Sequence, residues 1–195
     1  MRVYGIAALL CACAALAGCS GNSSPSSSAS PRASASPAGT EGASPAPSAA
    51  TNAAATVNLS VADIPESGFS QVSDGPLAGH PQTDQRTFAS ADGSVIIEAD
   101  VIVESAQSAI AGDYSQARTA AHGRVAAVSS SGKPSIGEQA DEYAGTTSTG
   151  KGLVAITFVR SLTVDAVLVE TAGAADTALA EQLATALDAR VQSYS

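Results

Sequence analysis

Apolar and polar residues alternate from Val95 to Glu104: Val95, Ile97, Ala99, Val101 and Val103 take one side, and Ile96, Glu98, Asp100, Ile102 and Glu104 the other. A period of two is that of a strand, because successive side chains leave opposite faces of the pleat. The odd-numbered set is expected to face a core and the even-numbered set to form a mixed face. Arg86 to Ser90 reads as a partner strand, joined through Asp92-Gly93, a dipeptide suited to the positive φ angles of a type I′ turn. Phe69 to Val72 supplies an earlier strand between the turn clusters Ile64-Pro65-Glu66-Ser67-Gly68 and Asp74-Gly75-Pro76.

After Ser105 the period lengthens. Ile110, Tyr114, Ala117, Ala121, Val125 and Val128 recur at intervals of three and four, which places them on one stripe of a helix. Ser105 is one candidate cap, and Asp113-Tyr114-Ser115-Gln116 forms a better capping box, with Gly112 marking a break before it. The helix is expected to stop in the Ser-rich stretch from Ser129 to Pro134. Three strands are predicted next, over 139–147, 153–159 and 162–170. The last two are apolar at nearly every position, as strands covered on both faces are. Leu179, Leu183, Leu187 and Val191 then stand four apart on a terminal helix capped by Asp176, with Ala180 and Ala184 permitting close packing.

The expected fold class is therefore α+β, an antiparallel sheet with two helices in the order βββαβββα. Val101-Ile102-Val103-Glu104-Ser105-Ala106 returns as Val167-Leu168-Val169-Glu170-Thr171-Ala172, which suggests an internal duplication of the three-strand-plus-helix unit.

The N-terminal region has a different pattern. Arg2 precedes an uncharged apolar run from Val3 to Leu16, with the length of a secretory signal rather than a spanning helix. The run ends in Leu16-Ala17-Gly18-Cys19, which resembles the bacterial lipobox. That resemblance implies signal-peptidase recognition through Leu16, Ala17 and Gly18 and lipidation of the Cys19 thiol. Cys11 and Cys13 would leave with the signal, so no cysteine pair staples the folded part. Between Ser20 and Ala55 lie 11 Ser, 11 Ala and 5 Pro, and no large apolar residue. Such a segment cannot bury enough surface to offset its ordering entropy and reads as a disordered tether. The expected organisation is a signal peptide over 1–18, lipidated Cys19 and tether over 19–55, and one domain over 56–195. The combination resembles actinobacterial secreted lipoproteins, and implies a protein anchored on the extracytoplasmic face of the cell membrane.

Composition narrows the partners. The chain has 195 residues and a net charge of −9, whereas nucleic-acid binding needs clustered Lys and Arg to release counterions. Nucleic acid is thus excluded as an expected partner. Carbohydrate is disfavoured, because the chain has no Trp for ring stacking.

Several segments mimic chemical motifs. Gly145-Thr146-Thr147-Ser148-Thr149-Gly150-Lys151-Gly152 resembles a phosphate loop, but Gly152 replaces the hydroxyl residue that would bind magnesium, and a strand follows where a helix is required. A flexible hairpin loop with a solvated Lys151 is expected. His80 and His122 lie far apart in sequence, so a shared metal site is not expected. No Gly-x-Ser-x-Gly elbow and no surviving thiol offers a nucleophile. Glu138, Asp141 and Glu142 form the densest acidic group and read as a solvated strand edge, and Arg160-Ser161 as a solubilising turn.

The stretches Ile136-Gly137-Glu138-Gln139-Ala140, Val154 to Arg160, Val164 to Val169 and the terminal helix resemble PsbP-like domains and extracytoplasmic sensor domains. The expected function is a non-catalytic recognition or sensor-like module for an envelope protein, lipid or small molecule, with no cofactor and no metal. The alternatives are a lipid carrier, which needs an apolar cavity, and an envelope enzyme working through carboxylates, which needs a perturbed pair in one cleft.

Overall fold

The computed structural model describes residues 52–77 and 82–194. Its strands are β1 (Phe69–Gly75), β2 (Thr83–Ser90), β3 (Val95–Val103), β4 (Ala127–Gly132), β5 (Gln139–Thr146), β6 (Gly152–Arg160) and β7 (Thr163–Thr171). They form one antiparallel sheet in the order β1-β2-β3-β7-β6-β5-β4. Its helices are α1 (Ala53–Val57), α2 (Gln107–Arg124) and α3 (Thr177–Tyr194).

Strand alternation sorts the core into two layers. On β6, Val154, Ile156 and Phe158 point to the α3 side with Val167 and Val169 of β7 and Ile97, Ala99 and Val101 of β3. Leu183, Leu187 and Val191 of α3 are fully buried in that layer, each such side chain contributing about 1.5–3 kcal/mol on burial. On the opposite face Leu153, Ala155, Ala166 and Leu168 meet Ala121 and Val125, while Val159 and Val164 meet Ile110 and Tyr114 of α2. The central strands are thus covered on both faces, as their nearly continuous apolar runs require. Asp176 caps α3, its Oδ1 accepting the Leu179 N–H at 3.0 Å.

Residues 52–55 belong to this folded unit, ahead of the expected start at 56. Ala54 is fully buried, and Asn52 caps α1 and donates to the Thr83 carbonyl at 2.9 Å. The segment after α1 is fixed by polar groups: the buried Asn58 amide nitrogen lies 3.0 Å from the carbonyls of Asp84 and Ala99. Arg86 donates to the Leu59 carbonyl at 2.7 Å, and Arg190 to that of Val57 at 3.1 Å.

Other differences have local causes. The sheet has seven strands because Ala127–Gly132 continues as β4, and α2 ends at Arg124. Val128 is accordingly an exposed strand residue. All six β4 residues are exposed, so no alternation announced an edge strand. Among the described residues there are three helices, because the short α1 joins the two expected. At its start α2 runs unbroken through Gly112, held by buried Ile110 and Tyr114, with Ala106 rather than Ser105 or Asp113 at the cap. Four residues join β2 to β3, and of them only Gly93 has a positive φ, 69°, so the turn is not type I′. Both long helices pack on β6 and β7, on opposite faces. The two helices are therefore not seated alike on the two halves of the sheet.

Candidate functional site

Among the described residues α2 lies over β5, β6 and β7 and meets β3 at Ile102, and no helix covers the rest of that face of β2 and β3. The even-numbered residues of β3 emerge there, opposite odd-numbered residues of β2: Asp100 pairs with Gln85 and Glu98 with Thr87. All four are half-buried. A two-residue spacing on a strand puts both carboxyl groups on one face, about 7 Å apart at the backbone. One side chain bridges them: Gln85 Nε2 lies 2.9 Å from Asp100 Oδ1 and 3.2 Å from Glu98 Oε1. Arg124, the last residue of α2, reaches Glu98 Oε1 at 2.5 Å.

The two acids are held differently. Glu98 has a guanidinium partner, whereas Asp100 has only an amide. Burial, followed by the negative charge of Glu98, pushes Asp100 up to about 7, against the opposing effects of Gln85 and Arg124. A carboxyl in that range exchanges its proton near neutrality and can serve as hydrogen-bond donor or acceptor. Among the described residues no group of three or more His, Cys, Asp or Glu is arranged to hold a metal ion.

Most segments singled out in the sequence have structural work. The phosphate-loop mimic is the β5–β6 hairpin, closed by Thr147 N–H donating to the Lys151 carbonyl at 2.8 Å. Its outer glycines allow close backbone approach. A Cβ on Gly145 would lie 2.0 Å from the Ala127 carbonyl oxygen, and one on Gly152 2.4 Å from the Ala175 nitrogen. Lys151 is not simply solvated, since its Nζ pairs with Glu170 at 2.7 Å.

The acidic trio is divided by the pleat, which corrects its reading as a solvated edge. Asp141 is buried on the α2 side, where it accepts the Tyr114 hydroxyl at 2.7 Å, with Arg118 3.7 Å away. Burial and this bond to a carboxylate raise the Tyr114 hydroxyl above its ordinary range. Glu142 is buried toward α3, and burial together with Glu181 raises it. Glu138 accepts the Ser161 N–H at 3.0 Å. Arg160 is likewise no free turn residue: it forms two hydrogen bonds to Asp188 of α3, at 2.7 and 2.6 Å. His122 packs edge-on against Tyr143, with ring centroids 4.7 Å apart. His80 and the lipobox residues Leu16, Ala17, Gly18 and Cys19 lie outside the described residues.

The Glu98–Asp100 pair escaped sequence reading. The alternation that revealed β3 placed both acids on its mixed face, yet the cause of the Asp100 shift, a half-buried position beside α2, is tertiary. The chain matches no protein-family model, no curated protein and no solved structure. A functional reading therefore rests on the residues themselves.

Proposed function

We propose that the chain is a lipid-anchored lipoprotein of the extracytoplasmic membrane face, presenting one α+β domain for recognition. The anchor follows from the signal-like run and the lipobox ending at Cys19. The observation that carries the recognition reading is the open strip of Gln85, Thr87, Glu98 and Asp100 beside the end of α2. Two carboxyl groups and an amide side by side on one strand pair suit a ligand that brings amide or ammonium groups, from an envelope protein or a small molecule. The net charge of −9 favours such a cationic partner and disfavours nucleic acid. A lipid carrier has less support, because the fully buried Leu183, Leu187 and Val191 occupy the layer between α3 and the sheet.

One feature favours a second reading, an envelope enzyme using acid–base chemistry: burial beside the Glu98 carboxylate pushes Asp100 up to about 7. Both readings use the same strip and differ in turnover. A photoreactive residue at Thr87 of the full chain should form a discrete adduct in the envelope, lost in the Glu98→Gln/Asp100→Asn double variant. The same probe at Gln182, on exposed α3, should give none. Equal adducts from both positions would contradict the recognition reading. Ester, peptide or glycan turnover abolished by Asp100→Asn in a folded protein would favour the enzyme instead.

A further inference from the structure

Asp165 of β7 faces the α3 side of the sheet and is buried to 1% exposure. It lies in a cross-strand row that runs Asp84, Val101, Asp165, Phe158, Ala140. The arginines on this side are committed elsewhere: Arg86 to Asp84, Arg160 to Asp188 and Arg190 to Asp63. Asp165 Oδ1 is buried without a hydrogen-bond partner, and Oδ2 lies 2.7 Å from Thr163 Oγ1. Thr163 Oγ1 is also 2.9 Å from the Arg160 carbonyl oxygen.

A hydroxyl has one proton, and here it faces two acceptors, the Arg160 carbonyl oxygen and Asp165 Oδ2. Both contacts hold a proton at once only if the carboxyl group supplies one. We propose that Asp165 is a neutral carboxylic acid donating from Oδ2 to Thr163 Oγ1, and that its ionisation is an alkaline release for the C-terminal half of α3. The surroundings agree. Burial, then the charge of Asp188, push Asp165 up to about 8, against the Thr163 bond. Its register neighbours Val101 and Phe158 are neutral. The charged groups on this side are Asp188 of α3, Arg160 at the end of β6, Glu138 bonded to the β6–β7 turn, Glu142 of β5 with Glu181 of α3, Asp84 with Arg86 on β2 beyond Val101, and Arg190 with Asp63.

Losing the Asp165 proton places a second negative charge opposite Asp188, the anchor that Arg160 uses to hold α3. Two residues further on, Arg190 donates to the Val57 carbonyl and pairs with Asp63, so loosening here reaches the segment where the folded unit begins. The folded value lies above the ordinary 3.8. Asp165 therefore contributes stability that is complete below about pH 4 and is lost as pH rises through about 8.

The test is carbon-13 NMR of aspartate carboxyl groups across a pH titration of the full chain, with hydrogen exchange of α3. Asp100 also titrates near neutrality, so the Asp100→Asn variant isolates the second group. The proposal expects one aspartate to titrate well above the ordinary carboxyl range in Asp100→Asn and to be absent from Asp165→Asn. Protection of the α3 amides after Asp188 should fall by up to about tenfold per pH unit beyond the intrinsic rise in exchange, and stay level in Asp165→Asn. If Asp165→Asn does not fold, the Asp100→Asn titration decides alone. Its carboxyls all titrating below about pH 5, or unchanged α3 protection in the parent chain, would overturn the proposal.

Discussion

Asp84 and Asp165 are buried on the same face of the sheet, in one row with only Val101 between them, yet only Asp84 has a cation: Arg86 Nε at 3.0 Å. Arg86 also donates to the carbonyls of Leu59 and Ala55. It therefore ties β2 to the first segment of the folded unit and balances a carboxylate in the same position.

Replacing Arg86 with Met should remove both functions and leave Asp84 buried and unpaired. Breaking one partner of such a pair costs about 3–5 kcal/mol. Urea denaturation should show a midpoint well below that of the parent chain, and adding Asp84→Asn should recover part of the loss.

The glycines of the β5–β6 hairpin should separate by position. A Cβ on Gly152 meets the backbone of Gly173 to Ala175 at 2.4 to 2.6 Å, so Gly152→Ala should destabilise by at least the ~1–3 kcal/mol of an overpacked site. Gly150 has φ +82 and open space around it, so Gly150→Ala strains only the turn. Thermal melts should place Gly152→Ala clearly below Gly150→Ala; the reverse order would contradict the packing assignment.

Asp100 should make stability fall with rising pH. Its folded value, about 7, exceeds the ordinary 3.8, so the folded state holds more protons between those values. Its contribution is complete below about pH 4 and is lost as pH rises through about 7. Asp92 acts in the opposite direction: bonds from Ser90 and Ser94 lower it to about 2, so its contribution is present above 3.8 and is lost as pH falls through about 2. Denaturant titrations from pH 4 to 8 should show a shallower decline in Asp100→Asn than in the parent chain. An unchanged slope would contradict the environment assigned to this carboxyl.

How far the sequence revealed the fold depended on burial. β3, β6, β7 and α3 were legible because Val95 to Val103 alternates, Leu153 to Val159 is apolar at every position but Thr157, and Leu179 to Val191 repeats every four residues. β4 was hidden because Ala-Val-Ser-Ser-Ser-Gly is exposed along its whole length and has no apolar face to display. The first three residues of α1 were assigned to the tether because Ala53, Ala54 and Ala55 carry no signal beyond small size; Ala54 is nevertheless fully buried, and Asn52 and Asn58 supply the local fixings. The site divides the same way. Glu98 and Asp100 were visible as residues of the mixed face, but Gln85 and Arg124 join them only through cross-strand register and the end point of α2.

Fatty-acid labelling of the full chain in its host tests the lipid anchor at Cys19 most directly. The protein should incorporate labelled acyl chains and sediment with membranes, because each buried methylene contributes about 0.8 kcal/mol. Cys19→Ser should lose the label and become soluble. Label retained by Cys19→Ser, or absent from the unaltered chain, would contradict the lipid-anchored reading.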